Sequence, residues 1–393
     1  MKRGPLEGKT ILAVIGGTEL LGSERGNLEA LLSLQTQGAH IIAGVSGRVA
    51  GGGAVGEQAR SFGFETFELP FGSHFAYQWM RHDRGYRNRQ IKRIWTNSWA
   101  LSQAIRKYRP THLMFSTVLA YIFCCLALIW HRTPLIYRIG DAPPEESKFQ
   151  MFFWKALVRR SSSIVVISSF IQRRTMSVAA RHEHKLTVIM NKLITREPYK
   201  RSSLDEQLLT KKRKHQFLYV GQISEKKGVP PLVQAILKLD NPEVGLWVVG
   251  GSEYSKGLEN ELQKLVQISN SKSTVEFYGY HKNPTPFYES TDWHIAPSSY
   301  QEPLGNIVQE AKNFSKPSIV SPNGGLPELI QHEVDGLILD SASTADIIET
   351  ISVILRGEYD AVAMGLAAKD SLLKRFNADR FALQWAEVVL KSA

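Results

Sequence analysis

The 393-residue chain contains only two cysteines, and these are the neighbours Cys124 and Cys125. Adjacent cysteines rarely bridge each other, so the sequence excludes a disulfide framework and indicates a reducing compartment. Charged residues make up 22% and hydrophobic residues 43% of the chain, which excludes disorder, collagen and coiled coil as its overall class. A secretory signal pattern is also missing, because Met1–Lys9 is polar and Thr10–Gly16 is too short for an apolar signal region. We therefore expect a cytoplasmic protein.

Residues 111–130 lack Asp, Glu, Lys and Arg over 20 positions, which is about the length of a membrane span. The alternative is a buried strand, His112–Thr117, followed by a short apolar helix through about Trp130 and a second strand, Leu135–Ile139. We favour strand, helix and strand, because the neighbouring segments show the same alternation of predicted strands and helices.

Positive charge is in excess, with a net charge of +11 and 48 Lys and Arg against 37 Asp and Glu. Residues 215–393 carry 15 basic and 22 acidic residues, a net of −7, so residues 1–214 carry a net of +18. The excess is densest in 81–109, where Trp79, Trp95 and Trp99 lie before or among the basic residues. This pattern predicts either a face that binds an anionic membrane surface or a solvated helix with its aromatics in the core. Nucleic acid is not an expected partner, because zinc-finger spacing, an RNP-like strand and a basic zipper are all missing.

Short β-branched runs alternate with helical stretches along most of the chain, which predicts an α/β protein with parallel sheets. A second series of alternating strands and helices begins after the polar, basic stretch Tyr199–Lys214, which we interpret as a linker. The sequence therefore predicts two Rossmann-like domains, one over 1–205 and one over 214–372. The last segment, 373–393, has the spacing of a final helix.

The segment 296–310 ends a predicted strand and begins a predicted helix near Leu304. The first backbone N–H groups of a helix have no partner in the helix and point along a positive dipole, so they form a phosphate site. Glu302 and Glu310 flank this helix start and can accept hydrogen bonds from sugar hydroxyls. Alternatively, Glu302 only interacts favourably with the dipole and Glu310 is a solvent-exposed helix residue.

The order of several motifs resembles the retaining GT-B glycosyltransferases of family 4. The spacing Glu302 to Glu310 matches the family's two glutamates, and 219–228 looks like its Gly-Arg to Lys-Gly loop. Gly324–Glu328 and Asp335–Ile338 match the turns that follow. The resemblance is specific over 217–340 and looser over 1–200, and an ordered set of motifs has a lower false-positive risk than a single one.

The resemblance implies a GT-B fold, with two Rossmann-like domains that face each other across a cleft and a final helix that crosses back to the first domain. It implies transfer of a sugar from a nucleotide diphosphate sugar to a glycan or lipid-linked acceptor, with retention of configuration. The donor would be a co-substrate and no cofactor is expected. No Asp-x-Asp motif occurs, so fixed charges would replace a metal.

The resemblance also implies roles for individual residues. Lys227 would contact the donor diphosphate, Glu302 the hydroxyls of the transferred sugar, and Glu310 the ribose. The backbone N–H groups of Leu304, Gly305 and Asn306 would bind the phosphates, and Gly17 would let the N-terminal loop approach the donor and the acceptor.

Two positions depart from the family pattern. Gln222 stands where the family has a phosphate-binding arginine, so a hydrogen-bond donor is kept but the charge and the bidentate fork are lost. Lys226 or another cation would compensate, or donor binding differs. Asp141, next to Arg138, is the nearest equivalent of a family histidine and is either a catalytic residue or a turn residue before Pro143. These departures leave open an altered or non-catalytic member that binds nucleotide sugar or glycan, and charge alone leaves open a basic adaptor.

Overall fold

The computed structural model describes residues 4–71, 84–192, 202–252, 255 and 257–392. The chain divides into two compact units. Unit 1 consists of Met1–Lys192 and Asn377–Ala393, and unit 2 of Leu193–Phe376. The sequence predicts domains over 1–205 and 214–372 and a final segment over 373–393, and these bounds stay predictions.

Unit 1 is built on a sheet of seven parallel strands within the described residues, in the order β3-β2-β1-β4-β5-β6-β7. The strands are β1 (Thr10–Val14), β2 (His40–Ser46), β3 (Glu65–Leu69), β4 (His112–Phe115), β5 (Leu135–Ile139), β6 (Ser163–Val166) and β7 (Leu186–Val188). Every residue of β4, β5 and β6 is buried. Such continuous burial is typical of parallel strands that are covered on both faces.

The helices that follow these strands are α1 (Gly22–Thr36), α2 (Gly53–Ser61), α3 (Arg84–Tyr108), α4 (Val118–Cys124), α5 (Ala127–Trp130), α6 (Lys148–Arg160) and α7 (Ser169–Ala179). The charge-free stretch 111–130 is therefore β4, α4 and α5, with β5 next, and the prediction of strand, helix and strand is confirmed. In the described part of the chain, no helix combines the length and the apolar character that a membrane crossing requires.

Unit 2 contains a second parallel sheet, with six strands among the described residues in the order β10-β9-β8-β11-β12-β13. The strands are β8 (His215–Val220), β9 (Val244–Val249), β10 (Thr274–Gly279), β11 (Trp293–Ala296), β12 (Ser318–Val320) and β13 (Gly336–Ile338). Its helices are α8 (Ser203–Lys211), α9 (Val229–Leu239), α10 (Leu258–Ile268), α11 (Thr285–Ser290), α12 (Asn306–Asn313), α13 (Thr344–Leu355) and α14 (Ala361–Arg375). The predicted α/β class with two parallel sheets is confirmed.

Helix α8 lies inside the stretch that we interpreted as a linker, so this interpretation is wrong for residues 203–211. Ser202 and Asp205 form a capping box. The Ser202 hydroxyl accepts from the backbone N–H of Asp205, and the Asp205 carboxylate accepts from the backbone N–H of Ser202. Leu208 on α8 is fully buried in a cluster with Trp247 and Phe287 of unit 2. The helix is therefore packed into unit 2 despite its polar sequence.

The final helix, α15 (Ala378–Lys391), packs against α1 in unit 1. Phe381, Trp385 and Val389 form its buried face and join the core that includes Leu28 and Leu31. Fully burying an apolar side chain of this size stabilises a fold by about 1.5–3 kcal/mol, so these side chains hold the end of the chain on unit 1.

Candidate active site

Two loops meet at the carboxyl edge of the unit 2 sheet, one after β8 and one after β11. They border a cavity of about 740 Å³, whose lining includes Gln222, Ser224, Lys226, Lys227 and Tyr300. In open parallel sheets ligands bind at this edge, because the loops there are free to vary while the strands stay fixed. The cavity is therefore the candidate ligand site of unit 2.

The first loop contains a single 3-10 turn, Glu225–Lys227, and ends at Gly228. Gly228 has a φ of +72°, and a Cβ atom there would lie 1.9 Å from the carbonyl oxygen of Pro297. Glycine is thus required for the loop to lie against the end of β11. The backbone N–H of Tyr300 donates to the carbonyl of Lys226 at 3.0 Å, which joins the two loops.

Lys227 and Glu302, 75 residues apart in sequence, form an ion pair across these loops. The Lys227 ammonium donates to Oε1 of Glu302, and the hydroxyl of Ser298 donates to the same oxygen at 2.7 Å. The side chain of Glu302 is 12% exposed and that of Lys227 is 32% exposed. Lys227 lines the cavity and Glu302 lies beside it, so a cation that can bind phosphate and a carboxylate that can bind hydroxyl groups are adjacent.

The backbone also fixes the position of Glu302. The N–H of Gly325 donates to the Glu302 carbonyl at 2.7 Å. A Cβ atom on Gly324, whose φ is +72°, would lie 2.2 Å from that carbonyl oxygen. The Gly324-Gly325 pair therefore allows two backbone segments to lie in contact beside the carboxylate.

Helix α12 begins at Asn306, directly after Gly305, which has a φ of +97°. Glu310 lies on this helix and is 8% exposed, so the alternative of a solvent-exposed Glu310 is wrong. Two residues further on, the ammonium of Lys312 donates to Asp335 at 2.6 Å, and both side chains are 1% exposed. This buried pair ties α12 to the turn before β13.

The predicted residues of unit 1 lie at the carboxyl edge of its own sheet. Gly17 follows β1, and a Cβ atom there would lie 2.6 Å from a carboxylate oxygen of Glu24. Asp141 is exposed and follows β5. Arg138, on β5, is buried and donates to Asn27 at 2.6 Å and to Asn191 at 2.5 Å. Burial lowers the pKa of this guanidinium to about 10, while the charges of Asp141 and Glu24 oppose the shift.

The structure thus brings Gln222, Lys227 and Glu302 together, with Leu304, Gly305, Asn306 and Glu310 at or just after the same loop. The sequence did not single out Ser298 or Tyr300. Ser298 lies two residues beyond the end of β11, so its place at a strand's carboxyl end was an available signal. The ammonium of Lys226 lies 5.9 Å from the Tyr300 ring centroid, a contact that no spacing rule indicates.

Within the part of the chain that the structure describes, no group of three or more His, Cys, Asp or Glu side chains is placed to hold a metal ion. The two cysteines are free thiols. Burial raises the pKa of the Cys124 thiol, so the free side chain is a neutral thiol near neutral pH. Metal independence and the absence of a cofactor stay predictions.

Comparison with known proteins places residues 200–371 in the family model described as "Glycosyl transferases group 1". An uncharacterized glycosyltransferase of Methanocaldococcus jannaschii, MJ1607, is 28% identical over 210 residues, covering 51% of this chain and 53% of the relative. The lipopolysaccharide core biosynthesis glycosyltransferase LpsD of Rhizobium meliloti is 32% identical over 122 residues, covering 31% and 33% of the two chains. The chain thus spans about half, or less, of the length of these relatives.

Solved structures match over nearly the whole chain. The Anabaena protein HepE in complex with UDP and glucose has a TM-score of 0.77 at 19% identity, covering 96% of this chain and 98% of the other. A glycosyltransferase from Rickettsia africae has a TM-score of 0.76 at 18% identity, covering 98% and 99%. The chain has the fold of these structures, the GT-B class with two Rossmann-like domains, and its residues 200–371 match the group 1 glycosyl transferase model.

Proposed function

We propose that the protein transfers a sugar from a nucleotide diphosphate sugar to a glycan or lipid-linked acceptor, with retention of configuration and without a metal. The observation that carries this proposal is the ion pair between Lys227 and Glu302 beside the cavity of unit 2. It lies within the residues that match the group 1 family model. Retention and metal independence rest on the resemblance of the motifs alone.

In the proposed reaction the bond between the sugar's anomeric carbon and the diphosphate breaks, and a bond to an acceptor hydroxyl oxygen forms. The hydroxyl proton passes to an oxygen of the leaving diphosphate. Negative charge grows on the leaving diphosphate, so a fixed cation aimed at it lowers the barrier. Lys227 supplies this charge. The start of α12, with the N–H groups of Leu304, Gly305 and Asn306, adds the positive end of a helix dipole.

The carboxylates bind the neutral parts of the donor in this proposal. Glu302 already accepts hydrogen bonds from Lys227 and Ser298, so its orientation is set before the donor arrives. Its second oxygen then accepts from a hydroxyl of the transferred sugar. Glu310, one turn into α12, accepts from the ribose hydroxyls.

Lys226 supplies the charge that Gln222 lacks. Both side chains line the same cavity, next to Lys227. The hydroxyl of Tyr219 donates to the Gln222 carbonyl at 2.7 Å and fixes the backbone there. A flexible ammonium in place of a guanidinium keeps the charge at the phosphates but loses bidentate geometry, so donor affinity is lower than with an arginine.

Unit 1 presents the acceptor in this proposal, with Gly17 and Asp141 at the carboxyl edge of its sheet. A glycan or lipid-linked acceptor is supported by relatives named for lipopolysaccharide core and amylovoran biosynthesis, which match 31–45% of this chain. The HepE structures with UDP and UDP-glucose make a UDP-sugar the first donor to test.

The test is release of nucleoside diphosphate from a panel of nucleotide sugars, with and without glycan acceptors. We expect release from at least one donor and loss of that release in Lys227→Met, while Lys264→Met, an exposed lysine on α10, matches wild type. No release from any donor, together with no thermal shift by any nucleoside diphosphate, overturns the proposal.

A second function, binding of nucleotide sugar or glycan without transfer, is motivated by Gln222 in the cavity lining. Gln222→Arg separates the two. If the wild-type protein binds UDP but neither it nor Gln222→Arg releases product, binding without transfer is the function. If Gln222→Arg raises an existing activity, the protein is a transferase with a weakened phosphate site.

A further inference from the structure

The surface of helix α3 carries exposed apolar side chains in a single stripe. Ile91, Trp95 and Trp99 are four residues apart, so they lie on one face of the helix. Trp95 is 59% exposed and Trp99 is 67% exposed. The opposite face of α3 is the buried one, and it includes Leu101, which is fully buried. The alternative in which these tryptophans lie in the core is therefore wrong, while Trp79 lies outside the described residues.

Helix α5 extends this stripe. The hydroxyl of Ser98 donates to the carbonyl of Phe123 at 3.2 Å, and that of Ser102 bonds the His131 ring at 2.8 Å. Ser102 is three residues after Trp99, and His131 directly follows Trp130, so the end of α5 lies beside the stripe. Ile129 is 65% exposed and Trp130 is 71% exposed. We call Ile91, Trp95, Trp99, Ile129 and Trp130 the tryptophan face.

Basic residues flank this face. Helix α3 contains seven Lys and Arg and no Asp or Glu. Lys92 and Arg106 are exposed and lie on the same side of α3 as Trp99, seven residues before and after it. Arg106 is four residues after Ser102, whose hydroxyl bonds the His131 ring, so Arg106 is on the side of α3 that faces the end of α5.

We propose that the tryptophan face binds the surface of an anionic lipid bilayer, with Lys92 and Arg106 among the lipid headgroups. Tryptophan is favoured at the membrane interface because its ring is apolar and its N–H can stay in the hydrated headgroup layer. Basic residues beside it are attracted to anionic lipid, and their apolar stems can lie along the bilayer surface.

A bilayer fits this face better than the other candidate occupants do. A nucleic acid would be held by the basic residues, but Ile91 and Ile129 offer it neither charge nor a stacking surface. An acidic protein partner would also meet an apolar centre and a charged rim. It would need acidic groups placed opposite Lys92 and Arg106, whereas an anionic bilayer needs no matched positions. The apolar centre of the face matches the hydrocarbon interior of a bilayer, and its basic rim matches the anionic headgroups.

The test is co-sedimentation of the full chain with phosphatidylcholine vesicles, with and without phosphatidylglycerol, across a salt series. We expect binding only with the anionic lipid and weakening by salt. Lys92→Gln with Arg106→Gln should weaken binding about 25-fold, at about fivefold per basic residue. Trp95→Ser with Trp99→Ser should weaken it on the order of tenfold or more, because both rings lose their apolar contact.

Matched controls lie on unit 2. Lys238→Gln with Lys264→Gln removes two exposed lysines, and Leu366→Ser removes an apolar side chain that is 61% exposed. Neither should change vesicle binding. The proposal is overturned if wild type does not bind anionic vesicles or if the tryptophan variant binds them as wild type does. It is also overturned if the control variants lose as much vesicle binding as the variants of the tryptophan face. A third result against it is that a single-stranded oligonucleotide binds more tightly than the vesicles do, while the tryptophan substitutions change the binding of neither. Circular dichroism and the melting temperature verify that each variant is folded.

Discussion

The buried ion pair between Lys312 and Asp335 makes the stability of unit 2 sensitive to a single substitution. The ammonium lies 2.6 Å from Oδ2 of Asp335, and both side chains are 1% exposed. The other oxygen, Oδ1, accepts from the backbone N–H of Gln331 at 2.7 Å. Lys312→Met removes the cation and leaves a carboxylate buried with one partner. Removing one member of such a pair costs about 3–5 kcal/mol, because the remaining charge has lost its compensation.

The chain offers a control with the same geometry and the opposite exposure. Lys374 and Asp370 on α14 also lie 2.6 Å apart, but their side chains are 74% and 61% exposed. Exposed pairs of this kind contribute about 0.3–0.5 kcal/mol, so Lys374→Met should be nearly neutral. The double variant Lys312→Met with Asp335→Leu should be less destabilised than Lys312→Met alone, since it leaves no unpaired charge.

The assay is hydrogen exchange of unit 2 peptides followed by mass spectrometry, which reports the opening free energy of this unit separately from unit 1. We expect the protection of the α12 and β13 peptides to fall in Lys312→Met and to recover in part in the double variant. Equal protection in Lys312→Met and Lys374→Met would refute the argument that burial decides the strength of the pair.

Two further predictions concern β11 and the loop beside it. Burial lowers the pKa of His294 to about 3, so the native ring stays neutral while the unfolded ring binds a proton below its usual pKa of 6.5. Stability should therefore fall as the pH falls, by about 1.4 kcal/mol between about pH 7.5 and 5.5 for this group, and urea unfolding of His294→Leu should lack that part of the loss. Gly228→Ala should destabilise unit 2 and weaken UDP binding in calorimetry, because its Cβ would lie 1.9 Å from the carbonyl of Pro297. Gly357→Ala is the control, since Gly357 has a φ of +78° with nothing within 4 Å, and only conformational strain of about 1 kcal/mol is expected there. If both glycine variants behave alike, steric contact with Pro297 does not determine the loop.

Most of the fold could be predicted from local pattern. The segment Leu135–Ile139 was predicted as a strand at the bounds that the structure has, because a parallel strand that is buried along its whole length leaves a clear signal. Strand β3 (Glu65–Leu69) leaves a weaker signal in the sequence, because it lies at the edge of its sheet and only Leu69 is buried. Helix α8 was missed because its polar composition resembles a linker, although Ser202 and Asp205 have the spacing of a capping box.

The candidate site could be predicted in its parts but not in its contacts. The glycines, Lys227 and the two glutamates follow strand ends in an order that is visible in the sequence. The pairing of Lys227 with Glu302 joins residues 75 positions apart, and it depends on how closely two loops pack. That packing is set by Gly228 and Gly324, whose close contacts are a property of the folded backbone. Likewise, the sequence left open whether Trp95 and Trp99 are buried, because helical spacing gives a face but not what covers it.

The central claim is that unit 2 binds a nucleoside diphosphate through Lys227, and calorimetric titration of UDP into the full chain tests it most directly. A charge-assisted hydrogen bond contributes about 1.5–3 kcal/mol, so Lys227→Met should bind UDP about tenfold to a hundredfold more weakly than wild type. Lys264→Met should bind it as wild type does. Equal affinity in Lys227→Met and wild type, or no binding of UDP or any other nucleoside diphosphate to the wild-type protein, would contradict the account.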